Sequence, residues 1–161
     1  MTHYRFETRW RLAAPLEEVY QALCQPSQWP TWWPGLIAVE SLSDGQASGI
    51  DRRYRYTWRS RLGYRLRFEV RVTRVQARRL IEAEAHGDLE GLGRWEFAES
   101  GATTEVRYLW RVTTTPRWMN LLAPLARPLF AWSHHAMMRN GANGLARHLG
   151  APLLENRHGS A

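Results

Sequence analysis

Residues 52–79 read RRYRYTWRSRLGYRLRFEVRVTRVQARR, and this stretch decides the fold class. From Tyr54 to Val72 the even positions carry aromatic and aliphatic side chains with only Ser60 between them, whereas arginines recur at odd positions such as Arg55 and Arg67. A period of two is typical of β-strands that have one buried face and one solvated face. The stretch therefore predicts two antiparallel strands of a sheet that covers a core on one side.

The pair Leu62-Gly63 predicts the turn between these two strands. A two-residue loop would place arginines opposite aromatic side chains, so a three-residue loop or a bulge is expected, with Trp58 opposite Phe68. Arginines would then oppose one another on the outer face, where like charges repel. The next strand can offset this repulsion, because a short turn would place Glu84 opposite Arg71.

The charge of the chain is concentrated in the same stretch. It holds 11 of the 22 basic residues but only one of the 15 acidic residues, Glu69, in a chain of net charge +7. An anionic partner of the arginine face is therefore one functional hypothesis. The partner could be nucleic acid, a phospholipid surface or an acidic carrier protein that delivers a tethered acyl chain. Nucleic acid is a poor candidate, because the aromatic side chains that would stack on bases are predicted to face inward.

Cysteine content and hydropathy exclude several classes of protein. The single Cys24 rules out an intramolecular disulfide framework, and without a His/Cys cluster we expect no metal and no other cofactor. The first twelve residues alternate polar and aromatic side chains, unlike a secretory signal. No run of about 18 apolar residues exists, so we predict a cytoplasmic protein with no transmembrane segment.

The rest of the chain extends the α+β pattern. Alternation from Tyr4 to Leu12 predicts a first strand, and Pro15 begins a short helix that reaches about Cys24. A second short helical turn is expected at Pro26, before the proline-bounded aromatic corner at residues 29–35. Six alternating runs separated by turn residues then predict an antiparallel meander. They cover residues 36–43, 50–61, 64–75, 80–89, 93–99 and 103–114, and one of the predicted turns is Gly91-Leu92-Gly93.

The last third of the chain is predicted to be helical. Residues 117–132 are apolar on nearly every side, and Pro124 and Pro128 are expected to prevent one uninterrupted helix there. These residues could form a lid, a core element, or a contact with a membrane or partner. Beyond Pro128, apolar residues at spacings of three and four predict a long helix that ends near Gly150. We expect residues 1–150 to form a single domain and residues 151–161 to be a flexible tail.

This order of elements predicts a curved seven-stranded antiparallel sheet wrapped around the long C-terminal helix, with two short helices after strand 1. The chain resembles the START-related (SRPBCC) superfamily with its helix-grip fold, in particular the polyketide cyclase/dehydrase and lipid-transport group. The resemblance spans about residues 3–149 and lies in these segments: Ala14–Tyr20, Trp29-Pro30, Trp32–Gly35, Gly87–Gly91 with Trp95, and the terminal helix. It implies a hydrophobic-ligand cavity without implying a particular reaction.

The candidate ligand-binding residues face the predicted space between sheet and helix. Their large side chains could line a pocket for a flat or acyl ligand, or could fill the core. On the sheet and the helix they are Tyr54, Tyr56, Trp58, Phe68, Trp95, Tyr108, Trp110, Phe130, His134, Met137 and Met138.

The candidate catalytic residues are His134, Tyr56 and Arg52. His134 lies on the apolar stripe of the helix, where it could move a proton or be a core histidine. Arg52 and Arg74 share the inward parity and could hold a carboxylate, phosphate or enolate at a cavity mouth, or extend into solvent. Three functions compete: a binding module for a hydrophobic small molecule or lipid, a polyketide cyclase/aromatase-like enzyme, and binding of an anionic partner through the arginine face. The sequence leaves open whether the protein is an enzyme.

Overall fold

The computed structural model describes residues 2–160 as one eight-stranded antiparallel sheet with helices packed on its inner face. The strands are β1 (Thr2–Leu12), β2 (Leu36–Ser43), β3 (Arg53–Arg59), β4 (Arg65–Gln76), β5 (Leu80–Gly87), β6 (Leu89–Ser100), β7 (Thr103–Thr114) and β8 (Leu153–Ser160). The helices are α1 (Leu16–Leu23), a 3₁₀ helix (Pro26–Thr31), α2 (Arg117–Leu121) and α3 (Ala123–Leu149). The strand order is β2-β3-β4-β5-β6-β7-β1-β8. The predicted helix-grip architecture is confirmed, with one strand more than expected.

The hairpin of β3 and β4 confirms the three-residue loop but not the expected register. Ser60 and Tyr64 close the loop, since Ser60 N donates to Tyr64 O at 2.9 Å. Trp58 therefore lies opposite Leu66 rather than Phe68, and Tyr56 lies opposite Phe68. The loop begins one residue earlier than expected, which shifts the register by two residues and keeps the aromatic face on the core side.

The outer face of the sheet neutralises many of its arginines. Glu84 lies opposite Arg71 as predicted, and their side chains are 3.0 Å apart. Glu69 accepts hydrogen bonds from both Arg53 and Arg55, at 3.0 and 2.8 Å. Each of these exposed pairs contributes little to stability. Together they neutralise part of the positive charge that is concentrated in residues 52–79. The arginine face is therefore largely paired along the middle of β3 and β4.

The prediction that Arg74 faces the cavity is wrong. The register shifts between Val72 and Arg74, and Arg74 lies opposite Glu82 with 3.7 Å between the charged groups. A bulge adds one residue to β4 and so moves the following side chain to the other face of the sheet. Arg74 is thus on the outer face, away from Arg52.

The predicted turn at residues 91–93 is also misplaced. β5 and β6 join at Gly87 and Asp88, and Gly91 lies within β6 opposite Val112. Gly91 has a φ of +155°, and a Cβ there would lie 1.9 Å from the Arg111 carbonyl oxygen. Only glycine allows this close approach of β6 and β7. Gly91 therefore serves the packing of the sheet rather than a turn.

One expectation for the C-terminal part is confirmed and another is wrong. Residues 117–132 do not form one uninterrupted helix, since α2 ends at Leu121 and α3 begins at Ala123 with Pro124 in its first turn. Pro128 itself lies within α3, where its missing amide leaves only one carbonyl unpaired. Residues 153–160, expected to belong to a flexible tail, form β8 along the free edge of β1, with Thr8 opposite His158. Gly150 caps α3 in the left-handed conformation and turns the chain back to that edge. Strand addition satisfies the backbone groups that β1 would otherwise expose.

Candidate functional site

A narrow cavity of about 100 Å³ lies between the concave face of the sheet and α3. Its walls are almost entirely apolar and aromatic. The lining residues are Trp29, Trp33, Tyr56, Trp58, Ser60, Tyr64, Leu66, Phe68, Val70, Ala83, Leu89, Gly93, Trp95, Tyr108, Trp110, Phe130, Ser133, His134, Met137 and Met138. Ten of the eleven predicted ligand-binding residues therefore meet around this space.

The aromatic rings of the sheet both fill the core and line the cavity. Tyr108 stacks on Trp95 with 4.2 Å between ring centroids, and Tyr56 lies 5.8 Å from Phe68. Burial raises the pKa of both tyrosines, so their hydroxyls are neutral hydrogen-bonding groups at physiological pH. These rings therefore belong to the core and also border the cavity.

The helix side of the cavity carries buried polar atoms without partners. His134 stacks on Phe6 at 4.1 Å, and its side chain is buried. Neither His134 Nε2 nor Ser133 Oγ makes a hydrogen bond within residues 2–160. Burial of a polar atom without a partner is costly. These two atoms are therefore suited to meet a polar group of a ligand.

His134 is uncharged at neutral pH. Burial, together with His135 and His158 nearby, lowers its pKa from 6.5 to about 3. A group with so low a pKa is a weak general base, since the ideal catalytic pKa lies near the operating pH. His134 is better suited to donate or accept a hydrogen bond than to remove a proton.

The cavity opens toward the β3–β4 loop. Ser60, Ser133 and Met137 line both the cavity and a wider surface depression of about 410 Å³. The outer depression also contains Arg59 and Arg61, whose guanidinium groups make no ion pair within the described part of the chain. A positive pair at the mouth was expected, but it consists of these residues rather than Arg52 and Arg74.

Two predicted site residues lie outside the cavity. Tyr54 and Arg52 line a separate small pocket together with Tyr20 and Cys24. The alternation of side chains along the sequence predicted that Arg52 and Tyr54 face the cavity. The curvature of the sheet instead directs the N-terminal end of β3 toward α1. Arg52 therefore lies in a different pocket from His134 and Tyr56, the other two candidate catalytic residues.

The aromatic corner contributes to the cavity wall, which was not predicted from the sequence. Trp29 and Trp33 enter the cavity from this corner, and Trp33 Nε1 donates a 2.9 Å hydrogen bond to the Met137 carbonyl on α3. Neither the strand period nor the helix period could place the corner, because it joins the end of the short 3₁₀ helix to the loop before β2. Its three tryptophans in five residues, at 29, 32 and 33, were the available signal.

Two further observations bear on the chemistry of the described residues. Across residues 2–160, no group of three or more His, Cys, Asp and Glu side chains is arranged to hold a metal ion. None of the helices in this range has the length and hydropathy needed to span a bilayer.

The concave sheet, the enclosed cavity and the long terminal helix together define a helix-grip protein. The sequence profile of the family described as polyketide cyclase / dehydrase and lipid transport matches residues 3–150. The chain belongs to this family, which confirms the resemblance noted in its sequence. A search of curated protein sequences found no significant match.

Solved structures with low sequence identity share the fold. The Zhui aromatase/cyclase from a Streptomyces species is 18% identical, with a TM-score of 0.77 over 92% of this chain and 94% of that chain. A START superfamily protein from Mycobacterium smegmatis is 15% identical, with a TM-score of 0.73 over 91% and 97%. A conserved protein from Geobacillus kaustophilus is 12% identical, with a TM-score of 0.74 over 96% and 98%. At these identities the likeness establishes the fold and not a reaction.

Proposed function

We propose that this protein binds a hydrophobic small molecule or lipid in the cavity between its sheet and α3. The observation that carries the proposal is an apolar enclosure in which two buried polar atoms, His134 Nε2 and Ser133 Oγ, have no partner within residues 2–160. A ligand hydroxyl or carbonyl at this position would satisfy them. Every ionisable group that faces the inner cavity is held neutral, so the inner part of the ligand is uncharged.

The ligand either has a small cross-section or widens the cavity when it binds. The space of about 100 Å³ is smaller than the roughly 300–1,000 Å³ of most small-molecule sites. Met137 and Met138 form part of the wall on α3, and methionine side chains adapt readily to new shapes. A single alkyl chain or a flat ring system is the class of ligand that fits best.

Filling the cavity should weaken binding. Ala83→Phe places a ring inside a space of similar volume, so we expect the affinity for decanoic acid to fall at least about tenfold. Isothermal titration calorimetry measures this effect. Ala77→Phe is the matched control, because Ala77 lies exposed in the turn after β4; it should bind like the original protein. Equal affinities for the two variants would remove the cavity as the binding site.

The arginines at the mouth indicate a ligand with an anionic head. Arg59 and Arg61 are exposed beside Ser60, where the cavity meets the solvent. A carboxylate or phosphate there would accept charge-assisted hydrogen bonds. The alkyl part of such a ligand would lie in the cavity, and its acidic head would lie in the outer depression beside Arg59 and Arg61.

Removal of these arginines should discriminate between ligand heads. Arg59→Gln/Arg61→Gln should weaken binding of decanoic acid about tenfold and leave binding of decanol unchanged. Arg5→Gln/Arg11→Gln, which removes the same charge from exposed positions on β1, is the control and should affect neither ligand. Equal losses in both double variants would mean that only net charge matters.

A polyketide cyclase/aromatase-like enzyme is the second candidate function. The observation that favours it is that His134, whose Nε2 has no hydrogen-bond partner within residues 2–160, and Tyr108 line the same apolar cavity; both could orient a reactive chain through hydrogen bonds. The two functions differ in the fate of the ligand. Mass spectrometry of the molecule that co-purifies with the protein, before and after incubation, should show an unchanged mass for a carrier and loss of water for a cyclase that forms an aromatic ring.

A further inference from the structure

A set of large apolar side chains is exposed on α2, on the first turns of α3 and on the β3–β4 loop. We call this set the apolar face. Its exposed fractions are 80% for Leu121, 71% for Leu125, 52% for Leu122, 49% each for Leu129 and Leu62, 47% for Trp132 and 46% for Trp118. Isolated exposed leucines are ordinary, but a cluster of this kind marks an interaction surface.

The apolar face is continuous with the mouth of the cavity. Tyr64 lies edge-on to Trp118 at 5.5 Å, and the guanidinium of Arg61 lies over the Trp132 ring at 5.7 Å. The β3–β4 loop is thus packed against both ends of the exposed helical segment. Ser60 in the same loop lines the cavity, so whatever covers this face also covers the entrance.

The two helices that carry most of the apolar face contain arginines and no acidic residue. Residues 106–154 contain six arginines and no aspartate or glutamate. Arg117 begins α2, Arg127 lies one turn into α3, and Arg61 lies beside Trp132. None of these three makes an ion pair within residues 2–160, whereas most arginines in the middle of the sheet are paired.

We propose that the apolar face docks on the surface of an anionic lipid bilayer. Protruding leucines, tryptophans at the edge and arginines around them are the pattern of helices that lie in a membrane interface. A second copy of the chain would bring arginine against arginine. An acidic protein would satisfy the charge, but it would need a groove to receive Leu121 and Leu125, which are the most exposed side chains of this face. An anionic bilayer can bury the leucines among its acyl chains and attract the arginines to its headgroups at the same time.

Vesicle flotation tests this proposal. The protein should float with phosphatidylcholine vesicles that contain phosphatidylglycerol, and added salt should weaken the binding. Leu121→Ser/Leu125→Ser should lower the partition coefficient at least about 20-fold, since two leucines lose their apolar burial. The control is Leu92→Ser/Leu154→Ser, because Leu92 and Leu154 are 54% and 53% exposed on β6 and β8. This control should float like the original protein.

Each other outcome overturns the proposal. Absence of flotation, or equal flotation of the two double variants, would exclude the apolar face as a membrane contact. A dimer in light scattering that Leu121→Ser/Leu125→Ser dissociates would identify a second copy as the occupant, and binding to an acidic carrier protein without flotation would identify that protein. Titration of decanoic acid in vesicle-free buffer keeps this result separate from the proposed ligand binding, because neither leucine lines the cavity.

Discussion

Replacing Gly144 by alanine should lower the free energy of unfolding by at least about 3 kcal/mol. A Cβ at position 144 would lie 1.8 Å from the carbonyl oxygen of Trp32. Backbone cannot yield as a flexible side chain can, so α3 must move away from the corner that contains Trp32 and Trp33. That movement would also strain the hydrogen bond from Trp33 to Met137, which closes one side of the cavity.

Helix propensity alone would predict that Gly144→Ala raises the free energy of unfolding. In an exposed helix, alanine in place of glycine stabilises by about 1 kcal/mol, so the clash must outweigh that gain. Asn143→Ala is the matched control, because Asn143 is the preceding residue of α3 and is exposed; its effect should stay within about 0.5 kcal/mol. Urea unfolding of both variants measures the difference. A Gly144→Ala variant as stable as the control would contradict the close packing of α3 on the corner.

Acid should destabilise the protein through His134. Its pKa is about 3 in the folded protein and 6.5 in its ordinary state. Between these values the unfolded chain binds a proton that the folded protein does not, so the free energy of unfolding falls as the pH falls. Above about pH 6.5 His134 is neutral in both states and does not alter the free energy of unfolding. At about pH 4 its protonation in the unfolded chain lowers the free energy of unfolding by about 3 kcal/mol.

A variant without this titrating group isolates the effect. His134→Gln keeps a polar side chain on α3, and its free energy of unfolding should depend less steeply on pH than that of the original protein. The pKa of His158 is also lowered, to about 4, so the variant should retain part of the acid sensitivity. Urea unfolding at a series of pH values gives both slopes. Parallel slopes would show that His134 is not held neutral by the fold.

The strength of a local pattern explains which elements the sequence predicted well. The alternation in β3 and β4 and the helical spacing beyond Pro128 each span several residues, so a single exception does not hide them. β8 carries no such alternation, and its formation depends on the free edge of β1, which is distant in sequence. The turn between β5 and β6 was misplaced because three glycines offered competing positions, and only the packing of Gly91 on β7 distinguishes them.

The sequence by itself determined the architecture and the faces of the sheet and of α3 that line the cavity, because side-chain periodicity dictates which face of a strand or helix is buried. The tertiary structure decided the position of the mouth, the separation of Arg52 from the cavity and the exposure of the apolar face. These features depend on a bulge, on sheet curvature and on the packing of a loop against α2 and α3. Such contacts join residues far apart in the chain, and no local pattern records them.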